Sequence, residues 1–250
     1  MQKKTNTILL KNKAVINMNS EKLSQRLEKV SHYVLEGSVL ADIGSDHAYL
    51  PCHLGLKGKI KKGIAGEITE GPYLSAKEQV ELDGLSEIIE VRKGDGLSVL
   101  KENEAEVITI CGMGGSLITS ILESGKEKLG SAKRLVLQPN IGAQNVRKWL
   151  LNENWVLSAE EILKEDGKIY EVLVADKSGE QPYTSNTEAE LLFGPFLLKS
   201  QNDAFKEKWA GEVKQWKAIL TQMERSQGIV ADQKRKELVK HINLAEEWID

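Results

Sequence analysis

Four carboxylates follow short apolar runs in this chain: Asp42 and Asp46 in VLADIGSDHAYLP (39–51), Glu67 in GIAGE (63–67) and Asp95 in KGDGL (93–97). Each run has the length and residue types of a buried strand. In open parallel sheets, ligands bind beyond the carboxyl ends of the strands, so these acids are candidates for one site. The first loop is not a dinucleotide fingerprint. That pattern needs a second glycine so that the backbone can press against a pyrophosphate; here Gly44 stands alone and Asp46 takes the second place. A carboxylate there repels phosphate and favours a cation.

S-adenosylmethionine meets that requirement, because it carries a sulfonium and an ammonium and no phosphate. Asp42, Gly44, Ser45 and Asp46 would surround its methionine end. Glu67 can accept from both ribose hydroxyls, and Asp95, with Gly96, from the adenine amine. The competing reading makes Asp42 a strand-end cap and Glu67 and Asp95 ordinary turn residues. Further groups fall after later strands: Cys111-Gly112-Met113-Gly114-Gly115 and Gln138-Pro139-Asn140. Cys111 reads as a small core residue beside the donor. Gln138 and Asn140 offer amides to base or donor. Arg26 can meet the donor carboxylate if its helix covers the pocket. No metal set is assigned.

Alternating elements must position these groups. Leu23, Leu27, Val30 and Val34 share a helical face that Gly37 ends. Strands are expected at 39–43, 63–67, 88–92, 107–111 and 134–137, and helices at 48–56, 72–82, 116–123 and 145–153. Residues 155–162 and 170–175 flank Glu165-Asp166-Gly167 and read as an antiparallel hairpin. Such alternation gives a doubly wound α/β sheet; closed by a hairpin, it has the order of a Rossmann-like class I methyltransferase sheet. Residues 178–186 read as a linker or domain boundary. Beyond it, Phe205, Trp209, Val213, Trp216, Leu220 and Met223 form one stripe, and Leu238, Ile242, Ala245 and Ile249 another, with a turn at Gln227-Gly228. Two antiparallel helices sharing a seam follow. The aromatic stripe reads as packing rather than as a base-stacking platform. The expected division is an extension over 1–17, a donor-binding catalytic domain over 18–180 and a helical coiled-coil domain over 184–250.

The chain's 250 residues are 40% hydrophobic and 28% charged, which excludes fibrous and wholly disordered classes. Two cysteines are too few for a disulfide framework and suit a cytoplasmic protein. No apolar run is long enough for a membrane span, and the basic first 20 residues lack the apolar core of a secretory signal. The net charge of −3 conceals an acidic middle and basic ends, compatible with a polyanion held away from the core. Lys57, Lys59, Lys61 and Lys62 are expected in a solvated loop at the rim opposite the site.

ADIGSDHAYLP, IAGEITEGPYLSA, KGDGL, CGMGG and LQPN, in this order, resemble the bacterial tRNA adenine-N1 methyltransferases that modify the adenine at tRNA position 22. The resemblance covers the chain from about Leu23 to the end. It implies an S-adenosylmethionine-dependent enzyme with a helical C-terminal domain that helps to hold tRNA. Adenine N1 has a free lone pair, so the chemistry asks for charge stabilisation rather than prior deprotonation. Asp46 is the expected catalytic carboxylate, and His47 its neighbour, orienting the base or accepting a hydrogen bond. Gly112, Met113, Gly114 and Gly115, with Gln138 and Asn140, are expected at the base; the competing reading makes the glycine run a tight strand-to-helix turn feeding Ser116, with no substrate contact. The expected partner is tRNA, bound by a monomer. Rival readings are a methyltransferase for a small molecule or a protein, and a non-catalytic nucleotide-binding protein.

Overall fold

The structure is a computed structural model that describes residues 19–223 and 229–249. The expected extension over 1–17 and the Gln227-Gly228 turn lie outside the described residues. In chain order the elements are α1 (Gln25–Tyr33), β1 (Ser38–Ile43), α2 (Tyr49–Leu56), β2 (Ile60–Glu67), α3 (Glu70–Leu82), β3 (Ile89–Lys93), β4 (Val107–Gly114), α4 (Gly115–Ser124), β5 (Arg134–Ile141), α5 (Ala143–Asn152), β6 (Val156–Glu165) and β7 (Lys168–Asp176). Helices α6 (Thr187–Phe193), α7 (Leu197–Ser200), α8 (Asp203–Met223) and α9 (Ile229–Trp248) follow.

Among the described residues, seven strands form one sheet in the order β3-β2-β1-β4-β5-β7-β6. Strands β1 to β5 run parallel, and β7 joins β5 and β6 antiparallel. Strand order reverses between β1 and β4, which is where such sheets bind ligands. Buried on both faces, the central strands read as unbroken apolar runs: Leu40, Ala41, Ile108, Ile110 and Leu135 are inaccessible to solvent.

Several strands run further than expected. β4 continues through Gly112-Met113-Gly114, with register shifts against β5 around Met113. β5 continues through Pro139, which sacrifices nothing on its far side because pairing with β7 stops at Leu137. β2 begins at Ile60, which corrects the expected basic loop: Lys61 and Lys62 open a strand. Lys61 pairs with Glu106 at 2.7 Å, and Lys59 donates to the carbonyls of Ser31 and His32.

The segment read as a linker is tied down. Gln181 Nε2 donates to the Trp155 carbonyl, and the buried Glu190 accepts from the Thr184 amide and hydroxyl. Helices α6 to α9 share a core with the hairpin, in which Ile162 of β6 packs with Leu192, Phe193, Leu197, Phe205, Trp209 and Ala245. Trp209 meets Phe193 edge-on at 4.7 Å. The aromatic stripe is packing, as its period suggests. Helices α8 and α9 pack against each other.

Candidate active site

Asp42 lies one residue before the end of β1, beside Thr109 of β4, across the point of strand reversal. It is 2% exposed, and both oxygens are engaged: Oδ1 accepts from Thr109 Oγ1 and Oδ2 from Ser45 Oγ, each at 2.6 Å. Burial raises its carboxyl above the ordinary range, and the two hydroxyls oppose that rise. Asp42 thus caps the strand end and also lines a cavity there. Gly44 turns the chain at φ +69°, and its amide and that of Ser45 donate to the Gly66 carbonyl.

The next three residues, Asp46, His47 and Ala48, have φ of 47°, 66° and 56°. Left-handed backbone costs a non-glycine residue about 1–2 kcal/mol, so a run of three must be held by its surroundings. Glu67 supplies one restraint: its Oε1 accepts from the Asp46 amide at 2.6 Å. The Glu67 carboxyl is buried and raised above its ordinary range, first by that burial. The bend leaves the Asp46 side chain 78% exposed over the carboxyl ends of the strands, with His47 Nε2 3.7 Å from its Oδ1. His47 stacks on Tyr49 at 5.3 Å.

Arg26 reaches the same place from α1. Glu165, at the hairpin tip, accepts from the Gln25 and Arg26 amides, satisfying the helix N-terminus. Tyr170 lies under the guanidinium at 5.4 Å. Nη1 donates to Gln138 Oε1 at 2.6 Å, an oxygen that also accepts from the Gly112 amide. Gln138 Nε2 donates to Asn140 Oδ1, and Asn140 Nδ2 to the Gly112 carbonyl at 2.7 Å. The two amides expected at the base therefore hold Gly112 at φ +76°.

Two adjoining cavities result. One, of about 230 Å³, is lined by Arg26, Leu27, Asp42, Gly44, Ser45, Asp46, Cys111, Gly112 and Met113. The other, of about 140 Å³, is mostly apolar and includes Ile43, Ile68, Asp95, Gly96, Leu117 and Ile121. Gly44 and Met113 line both. A Cβ on Gly44 would lie 2.3 Å from Met113 Cε, so the glycine makes room for that methyl. Burial pushes the Cys111 thiol well above the ordinary range, which makes it a poor nucleophile.

The structure thus brings Arg26, Asp42, Gly44, Ser45, Asp46, Asp95, Gly96, Cys111, Gly112 and Met113 into one groove. Glu67 and His47 do not line it; they brace and flank the Asp46 loop. Gly115 is buried against the backbone of Gly142, so it serves the strand-to-helix turn. Sequence reasoning missed Thr109, whose polarity within VITIC is a signal, and Leu117 and Ile121, whose spacing of four marks one face of α4. A larger cavity, about 550 Å³, lies along the edge strand β3, lined by Lys62, Tyr73, Lys77 and Arg92 among others, away from these strand ends.

A parallel sheet closed by an antiparallel hairpin, with an acidic and apolar groove at its switch point, defines a Rossmann-like class I methyltransferase. Residues 40–247 match the family described as tRNA (adenine(22)-N(1))-methyltransferase, and the chain belongs to that family. It is 50% identical over 236 residues to the tRNA (adenine(22)-N(1))-methyltransferase of Bacillus subtilis (strain 168), spanning 93% of this chain and 99% of that protein. The crystal structure of the B. subtilis M1A22 tRNA methyltransferase TrmK superposes with a TM-score of 0.87 over 92% of this chain and 100% of that one, at 50% identity. Streptococcus pneumoniae Sp1610, a putative tRNA (m1A22) methyltransferase solved in complex with S-adenosyl-L-methionine, gives 0.81 at 41% identity, covering 92% of this chain and 100% of that one. Among the described residues no helix is long and apolar enough to cross a membrane.

Proposed function

We infer that the protein methylates N1 of adenine 22 in tRNA, using S-adenosylmethionine as donor. The observation that carries this reading is the paired groove at the β1/β4 switch point: an acidic cavity adjoining an apolar one, with glycine at the junction. The residues present fit the donor. Asp42, Ser45 and Asp46 supply negative and hydroxyl groups for its ammonium, and Arg26 a cation for its carboxylate. Ile43, Leu117 and Ile121 supply apolar surface for a planar base, with Asp95 and Gly96 at its edge. Glu67 lies between Gly66 and Ile68 of that cavity with Oε1 held by the Asp46 amide, and its other oxygen is assigned to the ribose hydroxyls once the donor is bound.

Bound S-adenosylmethionine supplies an electrophilic methyl group. Adenine N1 presents a neutral lone pair, so no base need remove a proton before attack. The methylated ring is cationic, and the Asp46 carboxylate is assigned to stabilise that charge and to take a proton from N6. Its exposure leaves it accessible to an incoming base. His47, stacked on Tyr49, is assigned to orient the base. Gly112 and Gly114 let backbone approach the base edge, and Met113 packs on its face. N1 lies on the Watson–Crick edge, so the base must leave its pair to react. Helices α8 and α9, with exposed lysines such as Lys214 and Lys236, are assigned to grip tRNA phosphates. The protein is assigned to act as a cytoplasmic monomer.

Radiolabelled methyl transfer to unmodified tRNA, followed by mapping of the modified base, tests the reading. Label at N1 of adenine 22, and none on tRNA carrying guanine there, is the expected result. Equal labelling of both tRNAs would refute it.

A further inference from the structure

Away from the groove, four charged side chains meet where the catalytic sheet joins the C-terminal helices. Arg147 of α5 is inaccessible to solvent; its Nε donates to Glu160 of β6 and its Nη2 to Glu171 of β7, each at 2.6 Å. Its Nη1 donates to the Leu192 carbonyl at the end of α6 at 3.2 Å. Glu160 Oε2 accepts from the Phe196 amide before α7. Glu171 Oε1 accepts from Lys208 Nζ of α8. A Cβ on Gly194 would fall 2.7 Å from both Arg147 Nη2 and Glu160 Oε2, so the chain passes against the cluster as bare backbone.

Burial of the Arg147, Glu160 and Glu171 charges, with Lys208 part-exposed at their edge, is weak evidence for stability, since well-packed apolar groups often serve as well or better. The neighbouring apolar cluster around Phe193, Phe205 and Trp209 already supplies non-directional attraction. The exposed Lys164–Glu207 pair adds little. What the buried cluster adds is direction: each contact has a fixed donor and acceptor, and together they hold α5, β6, β7, the α6–α7 connection and α8. Its hub also lies close in the chain to the site, because α5 starts just after Asn140, which holds Gly112.

Lys208 sits near the root of α8. The helix runs on to Met223, roughly 22 Å further at about 1.5 Å per residue. A tilt of ~10° at the root therefore moves the tip by ~4 Å, and misplacement of a substrate by about 1 Å can cost on the order of 100-fold in rate.

We propose that the Arg147–Glu160–Glu171–Lys208 cluster sets the angle of the α8–α9 arm relative to the groove, and that Lys208 is a positioning residue for tRNA. The proposal rests on the reading that this arm grips tRNA. Lys208→Met removes the arm's share of the cluster and leaves Arg147 with both carboxylates. Spin labels at Lys101→Cys and Gln222→Cys, both exposed positions, report the arm's angle in the full chain without tRNA. A single narrow distance should broaden or shift in Lys208→Met, while donor affinity stays within twofold. The kcat/KM for tRNA should fall at least 10-fold, and Lys208→Arg should recover most of it. Should Lys208→Met fail to fold, Lys208→Gln carries the same expectations.

An unchanged distance distribution together with unchanged kcat/KM would overturn the proposal. Charge reversal at Lys214 and Lys236 separates it from the underlying reading. If Lys214→Glu/Lys236→Glu weakens tRNA binding while Lys208→Met changes nothing, the arm grips tRNA but the cluster does not aim it. If charge reversal has no effect on tRNA binding, the gripping role itself fails and the proposal falls with it.

Discussion

Replacing Gly115 by alanine strikes the turn that positions the groove without touching a residue assigned to chemistry. A Cβ there would lie 2.1 Å from the Gly142 carbonyl oxygen and 2.7 Å from its carbon, where 3.4 Å begins ordinary contact. Both obstacles are backbone, so no side-chain rotation relieves the clash. The β4–α4 and β5–α5 turns must separate by about 1 Å, and these turns carry Gly112–Gly114 on one side and Gln138–Asn140 on the other. Overpacking a tight site costs roughly 1–3 kcal/mol, and the absence of a movable neighbour places Gly115→Ala at the upper end, about 3 kcal/mol. For a chain of this size that is a fall in Tm of roughly 6–12 °C. Donor affinity should drop with it, because the Arg26–Gln138–Gly112 contacts are disturbed. Thermal melting and calorimetric titration with S-adenosylmethionine measure both. A Tm within 2 °C of the parent, with donor affinity intact, would refute the reasoning.

Other consequences follow from the same structure. Gly211→Ala, within α8 and with nothing within 4 Å of its added Cβ, should stabilise the fold by about 0.4–1 kcal/mol in thermal melts. Burial raises the carboxyls of Asp42 and Glu67. The folded chain therefore binds more protons than the unfolded one between the ordinary and the raised values. The ligand-free protein should gain stability from this pair as pH falls through that window, while donor affinity declines as the charges are lost; melting and titration across the acid range should show the opposite trends. Binding to tRNA should weaken steeply with added salt, and Lys214→Glu with Lys236→Glu should flatten that slope by about 2 on logarithmic axes, as filter binding would read.

The strand cores were legible because buried parallel strands leave apolar runs of a few residues, and their carboxyl ends were legible because Asp42, Glu67 and Asp95 interrupt those runs. The ends of β4 and β5 were not, because glycine and proline signal a break that pairing on one side alone overrode. Lys61 and Lys62 hid the start of β2, since exposed positions at a strand's entrance carry no hydrophobic signal. The three consecutive left-handed residues at Asp46, His47 and Ala48 could not be read from their types, since alanine avoids that conformation; Glu67, brought near by the fold, helps to hold them. The Arg147 cluster left one faint trace, Glu171 within the apolar YEVLVA of β7, whose partners lie on elements far apart in the chain.

Asp46, exposed on a loop of three left-handed residues beside the groove, is the residue proposed to meet the base. Single-turnover methylation of tRNA by Asp46→Ala, measured together with S-adenosylmethionine affinity by calorimetry, tests this most directly. The account predicts a donor dissociation constant within about threefold of the parent and a methyl-transfer rate lower by on the order of 100-fold or more. A rate close to the parent's at saturating donor and tRNA would contradict it.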